Sequence, residues 1–99
     1  MSDFQKHVDA DCRLVILRAL EDQHDGRLNE SLLEQALENL GHRVSRERVR
    51  RYMQDLEEAG AIAIQKFADI FVGEITARGQ DHLERAIKID AVAVPSRTK

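Results

Sequence analysis

Five arginines, Arg43, Arg46, Arg48, Arg50 and Arg51, stand within ten residues with Glu47 as the one acid among them. That stretch, residues 42–51, carries a local +4 in a chain of 99 residues whose net charge is −3, which leaves −7 for the rest. Guanidinium groups present paired N–H donors that match the oxygens of phosphates and carboxylates. A contact with an acidic partner is therefore expected to be made there.

Placed on a helix at about 100° per residue, Val49, Tyr52, Met53 and Leu56 share one side, and Glu47, Arg51, Gln54 and Glu58 lie opposite. Arg46 and Arg50 flank one edge and Arg48 the other. A helix presented to the major groove of DNA needs this layout, with long polar side chains toward base edges and cations beside them. In that reading Glu47, Arg51 and Gln54 are the base-contacting candidates. Arg51 can donate two hydrogen bonds to guanine, Gln54 can pair with adenine, and Glu47 can accept from the cytosine amino group. Arg43, Ser45, Arg46, Arg48, Arg50 and, further on, Lys66 are the candidate phosphate contacts. The competing reading is a solvated face, because Glu47 with Arg51 and Arg51 with Asp55 are spaced i,i+4, and such pairs decorate many exposed helices.

Elements that could hold this helix in place follow from the periodicity. Phe4, Val8, Cys12, Val15, Ile16 and Leu20 recur at three- and four-residue steps and predict a first helix over 3–23, apolar on most sides near Leu14–Leu20. Gly26 ends it, and Arg27-Leu28 are a candidate short strand. Asn29 or Ser31 caps a second helix with Leu32, Leu33, Ala36, Leu37 and Leu40 as its stripe, closed by Gly41. His42-Arg43-Val44 form a turn, and Ser45 caps the basic helix, which is expected to run to about Ala59 before Gly60.

Beyond Gly60 the period shortens to near 2. Ile62 and Ile64, then Ile70, Val72 and Ile75, predict a β-hairpin around Lys66-Phe67-Ala68-Asp69, a tip with no glycine to fix it. Thr76 caps a last helix expected to carry Leu83, Ala86 and Ile87. Residues 90–99 form a C-terminal tail, expected either to be disordered or to dock on a partner subunit.

Composition limits the alternatives. The chain fits one domain, and 42% apolar with 33% charged residues, five glycines and one proline favour helix. Leu14–Leu17 is too short an apolar run to cross a bilayer, and with Cys12 as the one cysteine a reducing, cytoplasmic setting is expected. His7, His24, His42 and His82 are scattered without clustered thiol or carboxylate ligands, so neither a metal nor another cofactor is expected. Without a nucleophile–histidine arrangement or a phosphate-cradling glycine loop, the protein is not expected to be an enzyme.

Helix, helix, short turn, capped basic helix, hairpin and final helix is the order of a winged helix-turn-helix domain. The expected fold is therefore mainly α with a β-hairpin, a winged-helix domain over residues 1–89. The run Asn-Glu-Ser-Leu-Leu-Glu-Gln-Ala-Leu-Glu-Asn-Leu-Gly-His-Arg-Val-Ser-Arg-Glu-Arg-Val-Arg at 29–50 resembles a family of small proteins of Mu-like phages and prophages. Leu56-Glu57-Glu58-Ala59-Gly60 and Ile75-Thr76-Ala77-Arg78-Gly79-Gln80-Asp81 extend that resemblance over most of the chain. The chain departs from the family pattern at its glycine-free hairpin tip and in the Ala91-Val92-Ala93-Val94-Pro95 tail. The resemblance implies a winged-helix fold of the type seen in ArsR- and MarR-like regulators. Two functions are carried forward: a double-stranded DNA-binding protein, acting as a regulator or DNA-handling factor as a homodimer through the first and last helices; and a protein-interaction module in phage assembly or DNA packaging.

Overall fold

The computed structural model describes residues 2–96. It is mainly helical with one small sheet. Helix α1 spans Asp3–Glu21, strand β1 Arg27–Asn29, α2 Glu30–Asn39, α3 Arg46–Glu58, β2 Ile62–Phe67, β3 Ile70–Ile75 and α4 Ala77–Leu83. The sheet is antiparallel throughout, in the order β1-β3-β2.

Each helix starts on a side-chain cap of the expected kind. Ser2, Asn29, Ser45 and Thr76 accept from the backbone N–H three residues on, supplying acceptors that first-turn amides lack. Left-handed glycines bracket α3, Gly41 at φ 93° before its turn and Gly60 at φ 81° after it.

Leu14, Val15, Ile16, Leu17 and Leu20 of α1 are buried, as the all-round apolar stretch predicts. They meet Leu33 and Leu37 of α2 and Val49, Tyr52, Met53 and Leu56 of α3 in one core, which the sheet closes with Ile62 and Phe71. The first turns of α1 stand clear of that core, with Phe4 three-quarters exposed.

The candidate strand at Arg27-Leu28 forms, pairing Arg27 with Glu74 and Asn29 with Val72, so the sheet has three strands. Two features differ from the sequence-based expectation. The last helix stops at Leu83, because Arg85 turns left-handed at φ 65°, and Ala86 and Ile87 lie beyond it.

The tail over residues 90–96 packs on its own chain. Ile89 and Val92 are buried, the Ala93 N–H donates to Ala10 O of α1 at 3.1 Å, and Arg13 holds Ala91 O at 2.9 Å. At the head of the tail, His82 accepts from Ile89 N–H on Nδ1 at 3.0 Å and donates from Nε2 to Ala93 O at 2.9 Å. The rest of the predicted tail, 97–99, lies outside the described residues.

Candidate nucleic-acid interface

The basic helix α3 lies with one side fully in the core and the other in solvent. Val49, Met53 and Leu56 are completely buried and Tyr52 nearly so, whereas Glu47, Arg51, Gln54 and Glu58 are exposed along the opposite side. The wheel reading of the sequence holds in three dimensions. Six residues, Leu40 to Ser45, separate α2 from α3, and Ser45 Oγ accepts from Arg48 N–H at 3.1 Å to start the second helix.

The five arginines divide into two groups. Arg46 and Arg50 point back toward α2 and the hairpin. Arg50 Nε lies 2.8 Å from Glu30 Oε1 and its Nη2 3.0 Å from Glu30 Oε2, and the same Nη2 donates to the Asp69 carbonyl at the hairpin tip. Arg46 reaches Glu34 Oε1 through Nε at 2.5 Å and Glu30 Oε2 through Nη1 at 3.3 Å.

Glu30 is buried at the first position of α2 and also accepts from Phe71 N–H at 2.8 Å. Burial opposes the charge on Glu30, but hydrogen bonds from Arg50, Phe71 N–H and Arg46 outweigh it and hold the carboxyl below the usual glutamate range. The same pairs push both guanidinium groups further up. Two of the predicted phosphate contacts, Arg46 and Arg50, are thus occupied inside the fold, because carboxylates distant in sequence are brought beneath them.

Arg43, Arg48 and Arg51 form the other group. Arg43 is 88% exposed at its side chain, and the nearest acid, Glu38, is 3.9 Å away. Arg48 lies on the α1 side, 3.8 Å from Asp9 and over the Tyr52 ring. Arg51 makes no ion pair among the described residues. Lys66 stands one residue before the end of β2, exposed, with Nζ 5.8 Å from the centre of the Phe71 ring that Arg50 also covers at 4.6 Å.

Beneath Arg48 a second buried acid anchors the helix. Tyr52 Oη donates to Asp9 Oδ1 at 2.6 Å, and Gln5 Nε2 donates to the same oxygen at 3.0 Å. Burial works against the Asp9 charge; the Tyr52 and Gln5 hydrogen bonds, with Arg48 and Arg13 nearby, more than offset it and lower the carboxyl. Burial, followed by the bond to Asp9, raises the Tyr52 phenol far above its ordinary value.

Glu30, Glu34 and Asp9 did not figure among the sequence-based site residues. A signal for the first two existed: Glu30, Glu34 and Glu38 recur every fourth residue on one edge of α2, the edge that meets the arginines. Burial of Asp9 on a predicted core face was the corresponding hint for α1.

Elsewhere the chemistry is sparse. Cys12 is buried and free, and burial pushes its thiol up. His42 Nε2 lies 2.7 Å from Asp11, and His82 is bonded to backbone groups only. Among the described residues no group of three or more His, Cys, Asp or Glu side chains could hold a metal ion, and no helix is long and apolar enough to cross a membrane.

The chain is similar to gp26 of Escherichia phage Mu, an uncharacterized protein, at 38% identity over 85 residues, covering 86% of this chain and 88% of gp26. It is also similar to an uncharacterized protein of Haemophilus influenzae, at 38% identity over 77 residues, 76% of this chain and 74% of that one. No family model matches the sequence, and no solved structure matches the fold. With that identity over nearly the whole of both proteins, the chain belongs to the family of phage Mu gp26.

Proposed function

We propose that the chain is a winged helix that binds double-stranded DNA with α3 in the major groove, serving a Mu-like phage or prophage in the bacterial cytoplasm as a regulator or DNA-handling factor. One observation carries the reading: Glu47, Arg51 and Gln54 stand in solvent on the side of α3 directly opposite a fully buried stripe. The helix order and the small antiparallel sheet β1-β3-β2 are compatible with a winged helix and support the reading. In this reading the protein is a binding module without catalysis.

The electrostatic share of binding is smaller than the arginine count suggests. With Arg46 and Arg50 neutralised by Glu30 and Glu34, Arg43, Arg48 and Lys66 remain to meet phosphates. Three such contacts correspond to a log-log salt slope of about −2.7. Arg51 and Gln54 then supply base discrimination, and Arg51→Ala lowers preference for a selected site roughly tenfold while leaving binding to random duplex nearly unchanged. Selection from a random duplex pool followed by salt titration measures both. Absence of binding to any duplex at about 50 mM salt, where such contacts are strongest, overturns the proposal.

The pairing of Arg46 and Arg50 with carboxylates favours a second reading, a protein-docking module in phage assembly or packaging, in which α3 needs little net charge. Recovery of one stoichiometric protein partner after nuclease treatment, with no duplex selected, supports that reading over the first.

A further inference from the structure

We infer that the outer face of α2, together with the end of α1, is a contact surface for a second copy of this chain. Charge is strictly divided around α2. Glu30 and Glu34 face Arg46 and Arg50 of α3 and Glu38 lies near Arg43 of the turn, while Ser31, Leu32, Gln35, Ala36, Asn39 and Leu40 on the other side include no charged residue. In a chain with one residue in three charged, that blank face is the exception.

The face is apolar where it is blank. Leu32 is 52% and Leu40 64% exposed, two of the largest apolar exposures in the described chain. Leu32 and Ala36 line an open groove of about 390 Å³ with Ala19 of α1 and Leu28 of β1. Exposed apolar side chains set around a groove mark an interaction surface more often than solvent does.

The polar groups along the groove identify the occupant. Gln23, Gln35 and Asn39 are uncharged amides, each able to donate and accept, and Asp22 is the one acid of the lining. Gln35 Nε2 donates to Asn39 Oδ1 at 3.0 Å, leaving further donors and acceptors of both residues free. A strongly anionic partner finds no cation in this lining, and a cationic one finds Asp22 alone. A second copy brings the same nearly uncharged face: amides meet amides across a two-fold axis with both roles available, and Leu32 can enter the opposing groove with Asp22 as the one acid on each side, as a self-complementary dimer contact requires. The contact uses no residue of the outward side of α3, so it stands apart from the DNA proposal and differs from a dimer through the first and last helices. It leaves α3 free on each copy.

Sedimentation equilibrium of the full chain from micromolar to sub-millimolar concentration tests the assignment. The expected mass rises to twice that of the chain. Leu32→Glu raises the dissociation constant at least ~30-fold, because both copies lose a buried leucine and two carboxylates are brought together. Asn39→Lys, at an exposed position of the groove, acts in the same direction by placing like charges across the axis, and Phe4→Glu, on the free end of α1, leaves the dimer intact. Circular dichroism confirms that each variant is folded. A wild-type chain that stays monomeric throughout, or a dimer that dissociates in Phe4→Glu but not in Leu32→Glu or Asn39→Lys, overturns the inference.

Discussion

The carboxylate of Glu30 and the guanidinium of Arg50 meet at two points, Nε to Oε1 at 2.8 Å and Nη2 to Oε2 at 3.0 Å, with Glu30 buried and Arg50 reaching on to the Asp69 carbonyl. Because Glu30 Oε1 also accepts from Phe71 N–H, a single side chain fixes the start of α2, the middle of α3 and the tip end of the hairpin relative to one another. The geometry of the outward face of α3 therefore depends on an acid that itself faces inward.

Removing that acid separates its structural and electrostatic effects. Glu30→Ala leaves the Phe71 N–H without its acceptor and Arg50 without its carboxylate, while Arg46 keeps Glu34, and is expected to destabilise the fold by about 3 kcal/mol, as breaking a buried ion pair does. Urea denaturation gives the loss. Hydrogen exchange at the Phe71 amide is expected to speed up more than at Val49, and equal acceleration at both would mean that Glu30 does not tie the hairpin to α3.

Acid sensitivity follows from the same group. Its carboxyl is lowered in the folded protein, so its stabilising effect is fully present above the unfolded glutamate value of about 4.3 and is lost as pH falls through the depressed folded value. Asp9, also lowered, adds to the same acid limb. The wild type should lose stability steeply from about pH 5 downward, and Glu30→Gln should flatten that slope while lowering the plateau at neutral pH. Parallel slopes for the two proteins would assign the acid limb to other carboxylates.

What the sequence makes legible is local. The apolar stripe of α3, its Ser45 cap and its solvent side are set by spacing within thirteen residues, and they appear where the pattern puts them. The three-residue strand β1 is too short for an alternation to show, and its pairing with β3 joins residues more than forty apart. Ala68 occupies the hairpin tip at φ 56°, a conformation usually marked by glycine or asparagine, so the turn lacked its signal. Arg85 ends α4 in the same unsignalled way. The pairing of Arg46 and Arg50 with Glu30 spans sixteen and twenty residues, and nothing in helical periodicity alone says which of several exposed arginines meets an acid.

Gly79 tests a close approach invisible to periodicity. A Cβ at this position of α4 would overlap the Ala61 carbonyl oxygen, just before β2, and stand 2.9 Å from the side chain of Ile75 at the end of β3. Gly79→Ala is expected to cost about 3 kcal/mol, since backbone must move to admit the methyl. Gly41, left-handed at φ 93° but with open space around its Cβ position, should lose only about 1 kcal/mol as Gly41→Ala. Thermal melts of the two variants give the order, and a reversed order would show that α4 can slide away from β2.

The buried imidazole of His82 holds the tail on the body of the protein. It accepts from Ile89 N–H and donates to Ala93 O, so both ring nitrogens are bonded to the segment that carries Val92 across α1. His82→Ala leaves a buried donor and acceptor unmatched as well as a void, for a loss of about 3 kcal/mol. The loss should be regional: hydrogen exchange at Ile89 and Ala93 accelerates, and limited proteolysis cuts first between residues 86 and 96, while amides of α3 remain protected. His82→Phe fills the void without restoring either hydrogen bond, so recovery of wild-type protection in that variant would show that packing alone secures the tail.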